Sequence, residues 1–142
     1  MKISNFIKKS PVIPILLGAE AVSRRLNEHF GKFDLSTMEA LVLVGIFFEE
    51  KDVRPSELAK ALKVSRARLS QALSSLLRRE YLNRKIESKD ARFINIQITS
   101  SGRQLALKLI KVFDKESMLI ETKLGVKKAE STAENLLSCI EI

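Results

Sequence analysis

The sequence predicts a mainly α-helical fold that carries one small β-hairpin. Three observations predict it. Apolar residues recur at three- and four-residue steps through most of the chain. That period gives way once to strict alternation, at Ile94, Ile96 and Ile98. The positive charge is concentrated just before that change: residues 54–92 hold eleven Lys/Arg against four Asp/Glu, in a chain of 25 basic and 17 acidic residues and formal net charge +8. The remainder is close to neutral, so the partner that explains such a local excess is a polyanion.

A chain of 142 residues, 45% apolar and 30% charged, is long enough for one domain with a real core. One cysteine, Cys139, and one histidine, His29, exclude an internal disulfide framework and a Cys/His zinc cluster. No metal or cofactor is expected. Single-cysteine usage points to a reduced, cytoplasmic compartment. The start imitates a secretory leader, with Lys2, Lys8 and Lys9 ahead of the apolar residues 11–19 and Ala19-Glu20-Ala21 behind them. Two prolines and Glu20 argue against that reading. No segment approaches the ~20 uninterrupted apolar residues of a membrane span.

In order, residues 1–10 read as a polar, basic arm. Residues 13–30 form a helix on the spacing of Ile13, Leu16, Leu17, Ala21 and Leu26, with Pro14 in the first turn and Gly31 as the stop. Ser36-Thr37-Met38-Glu39 is a capping box. The helix it opens, residues 37–50, is apolar all round and belongs at the domain centre. Lys51-Asp52 make a turn and Val53-Arg54 a short strand. Pro55 starts a helix over residues 56–62, Lys63-Val64 is a tight turn, and Ser65 caps a helix over residues 66–79. Leu69, Ala72, Leu73, Leu76 and Leu77 form its core stripe. Residues 84–87 pair with 94–98 as a hairpin whose tip is residues 88–91. Thr99 or Ser100 caps a long helix to residue 123, Gly125 breaks it, and residues 128–140 form the last helix.

Helix, tight turn, helix, hairpin in this charge context is a winged helix-turn-helix. The outer face of the second helix carries Arg66, Arg68, Ser70, Gln71, Ser74, Ser75 and Arg78, with no large apolar residue and no acid. A major groove about 12 Å wide admits one helix. There Arg66 and Arg68 can pair bidentately with guanine and Gln71 with adenine, while the serines permit close approach. Lys63, Arg78, Arg79, Arg84 and Lys85 suit phosphates, which set affinity without reading sequence, and Arg54 and Ser65 are further DNA-binding candidates. At the hairpin tip Lys89 and Arg92 reach toward a minor groove, with Asp90 able to hold Arg92 by a carboxylate–guanidinium pair. A basic face is more often simply solvated; here charge, helix order and hairpin agree.

These residues resemble the MarR-type transcription regulators. Phe33-Asp34-Leu35-Ser36 carry the resemblance, with Glu57-Leu58-Ala59, Leu62-x-Val64-Ser65, Leu69-Ser70-Gln71, Leu76-Leu77-Arg78-Arg79, Asp90-x-Arg92 and Ile96-x-Ile98-Thr99-x-x-Gly102. The match spans about residues 33–105. It implies a homodimer built from the terminal helices, bound to a pseudo-palindromic double-stranded operator, usually as a repressor. It also implies that Asp90 orients Arg92 into the minor groove, and that a small-molecule effector is possible. Ala91, Glu80 and Gln71 depart from the family's basic residue, Gly and Arg. The implied organisation is a dimerisation region at 1–32, a DNA-binding domain at 33–99 and dimerisation helices at 100–142. Cys139, on an apolar helix face, reads as a buried small residue and His29 as a helix-end residue.

Two other readings stay open: a nonspecific architectural DNA-binding protein, and a winged-helix module for a protein partner. An enzyme is excluded by the lack of a phosphate-loop glycine run, of a Ser/His/Asp or Cys/His pairing, and of clustered carboxylates.

Overall fold

The computed structural model describes residues 2–49, 52–86 and 94–140. The chain divides into two compact units, Met1–Thr37 and Met38–Ile142.

The first unit holds α1 (Lys2–Lys9) and α2 (Val12–Gly31). The stretch expected to be an arm is therefore helical. Ile3, Phe6 and Ile7 fall one helical turn apart, and Lys8 and Lys9 sit at the C-terminal end, where a cation complements the dipole. Pro14 lies in the first turn of α2, as the sequence requires. The N-terminal half of this unit is apolar but exposed, at Ile3, Phe6, Val12, Ile15, Leu16 and Leu17. Its C-terminal half is not: Leu26, Phe30 and Leu35 are buried. Thr37 Oγ1 donates to Asn27 Oδ1 at 2.6 Å.

In the second unit, α3 (Thr37–Glu49) buries Ala40, Val42, Leu43, Val44 and Ile46. It is not buried on every side: Phe48 is 65% exposed and meets Phe47 edge-on at 5.6 Å. The last turn of α3 runs past the core. Val53 exchanges hydrogen bonds with Ile96 at 3.0 and 2.8 Å, a single bridge where a short strand was expected. Next come α4 (Pro55–Ala61) and α5 (Arg66–Arg78). The hairpin β1 (Leu82–Ile86) and β2 (Ile94–Ile98) is antiparallel, with Leu82 opposite Ile98 and Arg84 opposite Ile96. Then α6 (Ser100–Leu124) is capped by Thr99, whose Oγ1 accepts from Gly102 N–H at 3.0 Å. Gly125, at φ 83°, breaks the chain before α7 (Val126–Cys139). The buried set of this unit includes Leu43, Ile46, Leu58, Leu69, Leu76, Leu82, Ile96, Leu105 and Leu109. Against expectation Cys139 is exposed, as α7 has no buried residue.

Three helices end alike, and none uses glycine for it. After α5, Glu80 N–H bonds to Leu77 O at 3.0 Å and Tyr81 N–H to Leu76 O at 3.0 Å. After α4, Lys63 N–H bonds to Lys60 O and Val64 N–H to Ala59 O, both at 3.1 Å. After α2, Asp34 N–H bonds to Gly31 O and Leu35 N–H to Phe30 O. These are Schellman ends, whose turning residue must be left-handed. Glu80, Lys63 and Asp34 have φ of 61°, 51° and 58°. Gly31, the expected stop of α2, is the last helical residue rather than the turning one. A side chain in this region strains the backbone. Glu80→Gly is therefore expected to raise stability by about 1 kcal/mol in urea unfolding, with the slope unchanged.

Candidate nucleic-acid interface

The outer face of α5 is set by its buried side. Leu69, Ala72, Leu73 and Leu76 of α5 are buried and Leu77 half-buried, which fixes the rotation of the helix about its axis. That rotation leaves Arg66, Arg68, Ser70, Gln71, Ser74 and Arg78 exposed together, with Ser75 half-buried at the margin. No acid occurs from residue 58 to residue 79. The face is thus cationic along its length and its serines keep it low.

Ser65 caps α5: its Oγ accepts from Arg68 N–H at 3.3 Å. The cap leaves the hydroxyl hydrogen available to an incoming phosphate oxygen. Lys63 is exposed on the turn and Arg54, at the N-terminus of α4, is half-buried; each already has a partner within the chain. Arg79 is half-buried and also partnered. Arg84 is exposed on β1. Lys89, Asp90 and Arg92 lie outside the described residues, as does the hairpin tip.

Between α5 and the hairpin runs a groove of about 450 Å³. Leu69, Leu73, Leu77 and Ile96 line it with apolar surface, and Arg66 and Arg84 also face it. It brings the helix and hairpin cations to one place.

One residue escapes a reading of the sequence. Asp52, assigned there only to a turn, pairs with Lys85 at 2.8 Å between Oδ2 and Nζ. The Lys85 hydrogen bond holds the Asp52 carboxyl below its ordinary value of 3.8, opposed by desolvation and helped by a hydrogen bond from Gln97. A lowered carboxyl stabilises the fold above the ordinary carboxylate range, and that contribution is lost as pH falls through the lowered value. The pair is thus fully formed near neutrality. A surplus of basic residues in the sequence could not show that one of them is neutralised by an acid just outside the basic stretch.

Among the described residues there is no group of three or more His, Cys, Asp and Glu able to hold a metal ion, and no helix long and apolar enough to cross a membrane.

Comparison with known proteins agrees with the winged-helix fold. A model of the family described as transcriptional regulator SarA/Rot matches residues 26–109. The transcriptional regulator AdcR of Streptococcus pneumoniae serotype 2 (strain D39 / NCTC 7466) is 35% identical over 71 residues, 50% of this chain. The chain spans about half the length of that relative, 47%. Among solved structures, MepR of S. aureus in a DNA complex is similar at a TM-score of 0.83 and 20% identity, covering 93% of this chain and 97% of that one. The transcriptional regulator SlyA is similar at 0.81 and 17% identity, covering 93% of each chain. The reduced form of MarR from E. coli is similar at 0.71 and 22% identity, covering 92% and 96%. At these identities the structures show the shared winged-helix fold.

Proposed function

Because this chain belongs to the SarA/Rot family of transcriptional regulators and has the winged-helix fold of the MarR type, we propose that it binds double-stranded DNA sequence-specifically as a homodimer and represses transcription. It is a transcription regulator, not an enzyme. The observation that carries the proposal is the exposed, acid-free face of α5 opposite its buried stripe. Arg66, Arg68 and Gln71 read base edges from the major groove, while Ser65, Ser70, Ser74, Ser75 and Arg78 set the approach and hold phosphates. Arg54, Lys63 and Arg84 add backbone contacts, and Lys89, Asp90 and Arg92 serve the minor groove.

The terminal helices support the dimer. Leu16 and Leu17 on α2, Met118 and Leu124 on α6, and Leu136 and Leu137 on α7 are exposed in a single protomer. That much unpartnered apolar surface calls for a second copy. In this reading residues 1–32 and 100–142 pair the protomers and residues 33–99 bind the duplex. A twofold axis then sets two reading helices about 34 Å apart, one turn of DNA. A small-molecule effector acting from the cytoplasm also belongs to the proposal, and the groove beneath Arg66 and Arg84 supports it as a place where an amphiphile displaces the duplex.

Selection from a random duplex library, followed by titration at several salt concentrations, tests the reading. The expected result is a two-half-site sequence bound at least about a thousandfold tighter than bulk DNA, with a steep salt slope. Sedimentation in the same buffer should give twice the protomer mass. Equal affinity for all duplexes would leave only nonspecific, architectural binding.

A further inference from the structure

We propose that Asp52 withholds Lys85 from the DNA backbone, so that the base of the hairpin neutralises fewer phosphates than its sequence suggests. The inference rests on the duplex-binding reading above.

Strand alternation separates neighbouring cations. Leu82, on the same side of β1 as Arg84, is buried, and Arg84 faces the groove beside α5. Lys85 points to the opposite side, where its Nζ meets Asp52 Oδ2 at 2.8 Å. Asp52 is the better anchored of the two. The next residue, Val53, is bonded both ways to Ile96, and Gln97 together with Lys85 favours the charged form of the Asp52 carboxyl. Its side chain is 25% exposed, against 56% for Lys85. The acid is therefore a fixed acceptor and the lysine a flexible arm held to it. Such an exposed pair contributes little to stability, because water screens it and ordering the lysine costs entropy. Its effect on binding is larger in kind. An approaching phosphate meets a neutral pair, and must displace a carboxylate already in place before it can take the ammonium. Arg84, one residue away and on the groove side, carries no such acid in contact among the described residues.

Salt dependence distinguishes a withheld lysine from a used one, since each phosphate neutralised adds about 0.9 to the slope of log affinity against log salt. Four full-length proteins are compared: wild type, Lys85→Met, Asp52→Asn and the double variant. The probe is a fixed duplex of about 30 base pairs, long enough for two half-sites one turn apart. Lys85→Met alone is expected to leave the slope unchanged. Asp52→Asn is expected to steepen it by about 0.9 per protomer and to tighten binding, and Lys85→Met in that background to remove the gain. Circular dichroism of the four should superimpose, since all changes are at a surface pair. An equal drop from Lys85→Met in both backgrounds overturns the proposal, because the lysine is then already on a phosphate. No change in either background also overturns it, by placing Lys85 beyond the DNA. Weaker binding by Asp52→Asn overturns it in favour of a role in holding the hairpin. Absence of salt-dependent binding in the wild type defeats the DNA-binding reading itself, and this inference with it.

Discussion

Gly102→Ala is expected to destabilise the protein by about 3 kcal/mol or more, and to lower its melting temperature by roughly 10 °C. The usual sign for such a change is the reverse, since alanine in a helix is favoured over glycine by about 1 kcal/mol. Here the first turn of α6 lies directly on the end of α5. A methyl group at residue 102 would press into the carbonyl oxygen of Tyr81, sit 3.1 Å from that residue's carbonyl carbon, and lie 2.9 Å from Ile98 Cγ1. None of these neighbours can yield cheaply. The Tyr81 carbonyl accepts from Thr99 N–H at 3.1 Å, and Thr99 Oγ1 donates to Glu80 O at 2.9 Å. Tyr81 is itself the last residue of the Schellman end, bonded to Leu76 O. One added carbon must therefore displace the cap of α6, the turn after α5 and the start of β1 together. Gly45→Ala is the control. Its methyl group would meet Leu62 Cδ2 at 3.5 Å and Leu58 Cδ1 at 3.6 Å, ordinary van der Waals contacts with the neighbouring α4 and its C-cap. It is expected to gain about 0.5–1 kcal/mol. Thermal unfolding of both variants checks the pair, and a Gly102→Ala protein as stable as wild type would show that α6 is not seated on Tyr81.

The same junction shows what a sequence reveals and what it hides. The stripe of Leu69, Leu73 and Leu76 is legible because burial imposes a period, and Ser65 and Thr99 are legible as caps because few residue types do that work. The hairpin follows from the alternation of Ile94, Ile96 and Ile98, and the structure keeps its bounds within two residues. What stays hidden depends on context. The αL turns at Asp34, Lys63 and Glu80 give no glycine signal, because the tertiary fold imposes the conformation on residues that disfavour it. The arm proves to be α1 since eight residues hold too few turns for periodicity to stand out. Phe48 lies in an apolar run that reads as wholly buried, yet the length of α3 carries it beyond the core. The Asp52–Lys85 pair spans 33 positions, and spacing carries no information at that range. For the outer face of α5, residue type and exposure were legible; that Arg54, Lys63 and Arg79 around it already have partners within the chain was not.

Substituting both Arg66 and Arg68 by alanine is expected to weaken specific duplex binding by at least about thirtyfold while leaving the fold intact. Each good guanine pairing is worth about 1–3 kcal/mol, and the proposed dimer would lose two such groups at each half-site. Even at the lower bound, with one of the two arginines per protomer reaching a base, the two lost pairings cost about 2 kcal/mol, roughly thirtyfold per proposed dimer. The second arginine, on a phosphate, adds its share and flattens the salt slope. The fold should survive because both side chains are exposed and alanine is the better helix former. Ser65 keeps its cap, since the bond runs to the backbone N–H of residue 68 and not to its side chain. Gln71→Ala is expected to behave differently. Gln71 is exposed on the same face but uncharged, so its loss leaves bulk DNA affinity and salt slope in place. It removes discrimination at one position, where a bidentate adenine contact is worth about 1–3 kcal/mol. The measurement is a library selection repeated with each variant beside titrations on one fixed duplex. A double arginine variant that binds like wild type, or a Gln71→Ala protein with an unchanged preferred site, would place the reading surface somewhere other than the outer face of α5.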